Sequence, residues 1–202
     1  MLRHLIDPAN AITAAGLLFS TLGIYLALSG RPDLGVAAVL WALLADHLDG
    51  VVAGRTRNRA AETAGIGKNL DSFADLVSGA VFPAVVVLLV SDLAIAALPV
   101  AAVLLLAGAL RLSYFNSFGL STGGYFTGVP LSYDVPLLAV LFLLAPLIPA
   151  DSFPTVLNLS LLTLACLHVT PVRIPRTSGF MYVVVTVFSV SASTILLVRG
   201  GA

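Results

Sequence analysis

Charge is what this chain has least of. Asp, Glu, Lys and Arg make up only 10% of its 202 residues, against about a quarter in an ordinary soluble domain. That scarcity excludes a water-soluble globule. Hydrophobic residues reach 59% and mean hydropathy is +1.05, which is more apolar surface than one small core can bury. Cysteine is nearly absent too. Cys166 stands alone in an apolar stretch, so no disulfide can form within the chain, and it reads as a small buried hydrophobe. The chain contains no basic run or basic-aromatic patch for nucleic acid, no internal repeat and no low-complexity segment. A cleavable leader is not expected either. The first apolar run, "ITAAGLLFSTLGIYLALSG", has only Arg3 as a basic flank and is followed by several equally apolar runs, so it reads as a retained span.

What is present is a series of bilayer-length apolar runs. A span needs about 20 residues, and helices are the structure that satisfies the backbone in lipid. Spans are predicted near 10–29, 34–55, 67–91, 93–115, 131–149, 153–170 and 179–198, the third and fourth nearly joined, with a bend at Asp92. The fold class is an all-α, polytopic transmembrane bundle. One domain covers 1–202, with six spans in its core and a seventh, C-terminal one beyond it. With the N-terminus cytoplasmic, Arg3, Arg55, Arg57, Arg59, Lys68, Arg111, Arg173 and Arg176 all fall on the cytoplasmic side, and only Arg31 and Arg199 fall outside. This positive-inside bias supports a multi-pass protein of the cell membrane with a cytoplasmic N-terminus.

Five acids, Asp46, Asp49, Asp71, Asp75 and Asp134, lie in or at the ends of apolar spans, where a carboxylate faces a cavity, a partner or a metal. Asp46, Asp49, Gly50 and Ala53 stand at i, i+3, i+4 and i+7, one face of the second helix. Gly67, Asp71 and Asp75 step by four along the third. A short loop joins the two helices as antiparallel neighbours, so both stripes can meet at one height. Four converging carboxylates need cations, and hard oxygen donors suit Mg²⁺, Mn²⁺ or Ca²⁺ better than zinc. His47 points elsewhere on its helix and reads as a packing residue. The small residues among the acids fit either close helix packing or a substrate slot, and their interleaving with aspartates favours the slot. Two divalent cations would suit phosphoryl chemistry, with one acid free to take a proton. The competing class is a cation transporter, but the acids crowd the cytoplasmic end beside basic residues, which points to an anionic substrate.

These residues resemble the signature of the CDP-alcohol phosphatidyltransferase family, D-x2-D-G-x2-A-R-x8-G-x3-D-x3-D. Asp46, Asp49, Gly50, Ala53, Gly67, Asp71 and Asp75 meet seven of its eight fixed positions. Within the family, "NLDSFADLVSGAVFPA", "LRLSYFNS", "YFTGVP" and "VRIP" are similar to elements of the phosphatidylserine synthase branch. The resemblance covers about residues 8–176 and leaves the run in 177–202 without a role. It implies a six-helix core, often dimeric, and a two-metal site open to the cytoplasm that takes Mg²⁺ or Mn²⁺. CDP-diacylglycerol would bind there and pass its phosphatidyl group to a small alcohol, serine first, with release of CMP. It also implies Asp46, Asp49 and Asp71 as metal ligands, Asp75 as the general base and a possible further ligand, and Gly50, Ala53 and Gly67 as lining of the nucleotide site.

One position departs. The family's arginine falls on Gly54, and 13 residues separate Ala53 from Gly67 where the pattern has nine. Arg57 returns to the acidic face at i+11 and is the candidate for that phosphate contact, with Arg55 its alternative if Gly54 ends the helix. Arg111 is a candidate for an aspartate partner or for a substrate phosphate or carboxylate. Asn116 is a weaker substrate candidate. Asp134 could attract an amino alcohol's ammonium or serve as a cap or structural ion pair. Asn10 and Thr13, in "PANAIT", are expected to cap the first helix. Alternatives that remain are another acceptor (choline, glycerol phosphate or inositol phosphate), the transporter, and an inactive scaffold that binds metal without turnover.

Overall fold

The computed structural model describes residues 1–56, 59–121, 123–175 and 179–201. After a short 3-10 turn, Leu2–Leu5, the chain forms α1 (Pro8–Leu28), α2 (Pro32–Arg55), α3 (Ala61–Val90), α4 (Ile95–Phe118), α5 (Leu131–Leu147), α6 (Ala150–Val169) and α7 (Gly179–Gly201). Proline at the first turn starts α1 and α2, and Pro99 and Pro154 open the α-helical parts of α4 and α6 after their leading 3-10 turns, where a missing N–H costs little. The bend between α3 and α4 is a turn in which Asp92 and Leu93 take positive φ, 50° and 56°.

Six of these helices have the length and apolarity to cross a bilayer, and α5 is a shorter apolar helix. The short member is therefore α5, while the C-terminal run forms a full-length helix. Prolines bracket α5, with Pro130 before it and Pro146 in its final 3-10 turn. Its 3-10 turns at both ends rise faster than α-helix, so its 17 residues reach about 28 Å, close to the hydrocarbon thickness.

Hydrogen bonds fix which ends lie together. Strand β1 (Phe126–Thr127), before α5, pairs antiparallel with β2 (Arg173–Ile174), after α6. At the opposite end, Arg199 donates from Nη1 to the Leu143 carbonyl at 3.0 Å, and Arg31 donates to the Gly200 carbonyl. The path from α5 to α6 thus runs from the β1–β2 end to the far end and back.

Helix α2 is the axis of the bundle. Of its apolar window 56% is buried, against 22–39% for the other five long helices, whose outer faces carry large apolar side chains such as Leu18, Leu106, Leu159 and Val187. Val36, Val39 and Leu40 of α2 pack in a core with Phe82 and Val86 of α3, Leu138 of α5, Leu157 of α6 and Leu196 of α7. Small residues bring α1 against α2: a Cβ on Gly35 would stand 2.7 Å from the Gly23 carbonyl oxygen. Helix α3 is not regular throughout. Pro83 cannot donate and would clash with the carbonyl one turn back, and a π turn at Val77–Val81 precedes it, closed by the Phe82 N–H on the Val77 carbonyl. Cys166 is exposed on the outer face of α6, not buried as expected from its apolar setting. A small apolar thiol is as well accommodated by lipid as by a core, which hydropathy cannot distinguish.

The paired ends give a labelling test. With Cys166→Ser as background, Tyr125→Cys and Arg173→Cys should react with an impermeant maleimide from one membrane face and Asp151→Cys from the other. Reaction of all three from the same face would make α5 and α6 a re-entrant pair.

Candidate cation site and substrate cavities

At the β1–β2 end, the last turns of α2 and the first half of α3 run antiparallel against the N-terminus of α1. Asp46, Asp49 and Asp71 each offer an oxygen within 4.8 Å of the others, and Asp46 stands within hydrogen-bonding reach of both Asp71 and Asp75. At that spacing each ionised pair repels by about 3.5 kcal/mol, even at an effective dielectric of roughly 20. Three such pairs together rival the whole stability of a domain. The donors are all carboxylate oxygens, so the cluster fits a hard divalent cation and not zinc.

Two cavities flank the cluster. One, about 200 Å³, is lined by Asp49, Ala53, Arg59, Gly67, Lys68 and Asp71 among others. The second, about 210 Å³, is lined by Asp46, Asp75, Arg111, Phe126, Pro130 and Tyr133 among others. Both include Gly50, and a Cβ there would meet nothing within 4 Å. Helix packing does not require a glycine at 50, since the close approach of α1 and α2 is made at Gly23 and Gly35. Gly67 differs: a Cβ would collide with Asn10 Oδ1 and stand 2.7 Å from Arg59 Nη2.

Among the described residues, the arginine that lines the Asp49–Asp71 cavity is Arg59. It donates from Nε to Asp7 Oδ2 at 3.1 Å and from Nη2 to Asp7 Oδ1 at 2.8 Å, and Nη2 also donates to Asn10 Oδ1. Burial works against the Asp7 charge, but the Asn10 N–H and the Arg59 guanidinium outweigh it and hold the carboxyl below its usual range. Arg55 is instead exposed at the end of α2 and lines neither cavity, and Arg57 lies outside the described residues. A signal for Arg59 was available. Counted forward from Asp46 the family pattern lands on Gly54, but counted back from Gly67 it lands on position 58, beside Arg59. Five residues are added before Arg59 and one is lost between it and Gly67.

Asn10 and Thr13 do not cap α1. Asp7 does, accepting from the Asn10 N–H at 3.1 Å. Asn10 and Thr13 are buried and turned to the site: Asn10 donates to the His4 and Thr63 carbonyls at 2.9 and 3.3 Å, and Thr13 donates to Asp49 Oδ2. Third and sixth in the helix, they face α3 and α2 instead of the helix's own first N–H groups.

Arg111 is 6% exposed, with its guanidinium carbon 5.2 Å from the Phe115 ring centroid and 5.5 Å from that of Phe126. Its Nε has no hydrogen-bond partner among the described residues, although it shares a cavity with Asp46 and Asp75. Asn116 is exposed and outside both cavities. It donates to Ser72 Oγ at 2.9 Å, which ties α4 to α3. Asp134 is buried, with Oδ2 2.8 Å from His168 Nε2, and neither residue lines the two cavities beside the acids. His47 donates from Nδ1 to the Leu43 carbonyl at 2.9 Å and sets its ring edge-on to Tyr182, as a packing residue would.

The bundle and its acidic cluster define a multi-pass membrane protein with a group of carboxylates, spaced so that they could hold a cation, between two cavities at one end. The match to a family description then narrows the class. The profile of the CDP-alcohol phosphatidyltransferase family covers residues 7–198, and the chain belongs to that family. The match runs past residue 176, through most of α7. Enzymes of this family transfer substituted phosphate groups. Archaetidylserine synthase of Methanothermobacter thermautotrophicus is 37% identical over 113 residues, 54% of this chain and 46% of that protein, so the chain matches less than half the length of that relative.

The two glycines make opposite predictions. Gly67→Ala should lower stability by about 1–3 kcal/mol because Asn10 and Arg59 must both shift. Gly50→Ala should leave the thermal midpoint in detergent unchanged or slightly raised, since alanine favours helix. Equal midpoints for the two variants would contradict the packing described for Gly67.

Proposed function

We propose that this protein transfers the phosphatidyl group of CDP-diacylglycerol to L-serine, forming phosphatidylserine and CMP, with Mg²⁺ or Mn²⁺ as cofactor. The observation that carries the reading is the convergence of Asp46, Asp49, Asp71 and Asp75 on a slot kept open at Gly50 between two cavities. Asp46, Asp49 and Asp71 would hold two divalent cations, with Asp75 as a further ligand. Bound there, they would neutralise the diphosphate and the charge developing on the leaving CMP.

The chain's own groups supply the rest. Arg59, held by Asp7, offers a preorganised guanidinium to the diphosphate on the Gly67 side. Asp75, on the Arg111 side, takes the proton of the acceptor hydroxyl. The hydroxyl oxygen bonds to the β-phosphorus, the bond from that phosphorus to the bridging oxygen breaks, and CMP leaves with the electron pair. Arg111, buried against two aromatic rings, is suited to a carboxylate, which favours serine over choline. The "LDSFAD" and "YFTGVP" elements and the name of the archaetidylserine relative support the same acceptor. Arg3, Arg55, Arg59, Lys68, Arg111 and Arg173 lie toward the acidic end and Arg31 and Arg199 toward the other, which supports a cytoplasmic site in the cell membrane.

The test is CMP release by purified protein in detergent. The lipid donor is supplied as CDP-diacylglycerol and as its archaetidyl counterpart, with serine, choline, glycerol phosphate or inositol phosphate as acceptor. Serine-dependent release that EDTA abolishes is expected. Asp75→Asn should reduce it by about 10²–10⁴-fold, and Arg59→Gln should chiefly raise KM for the lipid donor. Release with a different alcohol would replace serine as the acceptor. Folded protein that releases no CMP with any pair would overturn the reading.

A further inference from the structure

We propose that Asp134 and His168 form a buried clamp that positions residues 126–133, one wall of the Arg111 cavity, and so sets how tightly the acceptor is held. The proposal rests on the transferase reading for its acceptor. The clamp itself is a matter of geometry.

Asp134 opens the α-helical part of α5 and His168 is the penultimate residue of α6. They are 0% and 3% exposed, with Oδ2 and Nε2 2.8 Å apart. The other ring nitrogen, Nδ1, lies 2.8 Å from the Val129 carbonyl, which can only accept, so Nδ1 carries a proton and donates. The acid sits at the positive end of one helix dipole and the imidazole at the negative end of the other, so both termini favour the pair. A buried polar pair is seldom the most stable way to fill a core, and an apolar pair of similar volume often serves as well. Its effect here falls on register, because it is joined to a loop.

That loop lies directly on the end of α6. The Gly128 N–H donates to the Val172 carbonyl at 2.8 Å and the Val129 N–H to the Leu167 carbonyl at 3.1 Å. Gly128 has φ 78°, and a Cβ on it would run into the His168 carbonyl, so the backbone approaches as closely as it can. On its far side the same segment builds the cavity. Phe126 stacks on Phe115 and stands against Arg111, and Pro130 and Tyr133 complete the wall that faces Asp46 and Asp75. Neither Asp134 nor His168 lines that cavity, and His168 borders a separate one with Arg111 and Thr127, so their effect on the Asp46–Asp75 side passes through the segment they hold. They are positioning residues.

The experiment combines amide hydrogen exchange with steady-state kinetics on wild type, His168→Leu, His168→Asn and the near-isosteric Asp134→Asn. In His168→Leu and Asp134→Asn, exchange should rise in 126–133 and stay unchanged at 46–53 and 67–75. KM for the acceptor should rise by at least about tenfold, with KM for the lipid donor within about twofold. His168→Asn keeps a donor at the Nδ1 position and should recover most of the protection at Gly128 and Val129. Unchanged exchange in 126–133 in folded variants would overturn the clamp. So would a uniform loss of kcat and of both affinities, since a merely structural pair would act on everything at once. If wild type turns over no alcohol, the transferase reading fails, and the exchange result still decides the clamp.

Discussion

Mutual repulsion among four carboxylates at one end of an apolar bundle is the constraint on which the rest of the structure depends. Water alone would disperse such charges, and a bilayer edge offers little of it. The chain holds them together by covalent geometry and packing: α2 and α3 are antiparallel neighbours through a short loop, and α2 is pinned along its length by α1 and α7. The cluster can therefore not relax by separating. It must take up cations or share protons.

The polar shell around the acids follows from the same constraint. Thr13 satisfies Asp49 from α1, and Asp7 holds Arg59 beside Asp49 and Asp71 without placing it among them. Arg111 sits on the other side, packed against two aromatic rings in a cavity it shares with Asp46 and Asp75. Each cation is thus kept near the carboxylates yet left able to meet an incoming anion. Glycine serves two ends here. At Gly67 it admits Asn10 and Arg59, and at Gly50 it leaves room between the two cavities.

Much of this was legible in the sequence because lipid simplifies the code. Without water to satisfy backbone groups, a 20-residue apolar run has one structural outcome, so the helices and the bend at Asp92 could be placed from hydropathy. The acidic stripes were legible for a related reason: a three-to-four-residue step on a helix maps directly onto one face. What hydropathy could not distinguish was lipid from core, and Cys166 shows it. Loops were the other failure. Arg55 continues the helical period and reads well on paper, yet the chain leaves the helix at Thr56, and the residue that returns to the site is Arg59.

The sequence by itself determined the membrane class, the number of apolar helices and the identity of the four acids, because these depend on short-range periodicity and on the cost of charge in lipid. The tertiary structure decided which arginine reaches the cluster, that Asn10 and Thr13 serve the site instead of capping a helix, that α5 and not the C-terminal run is the short element, and that Asp134 finds His168. Apart from the length of α5, which its bracketing prolines set, each of those depends on contacts between residues 30 to 60 positions apart or on the path of a loop, which no local pattern encodes.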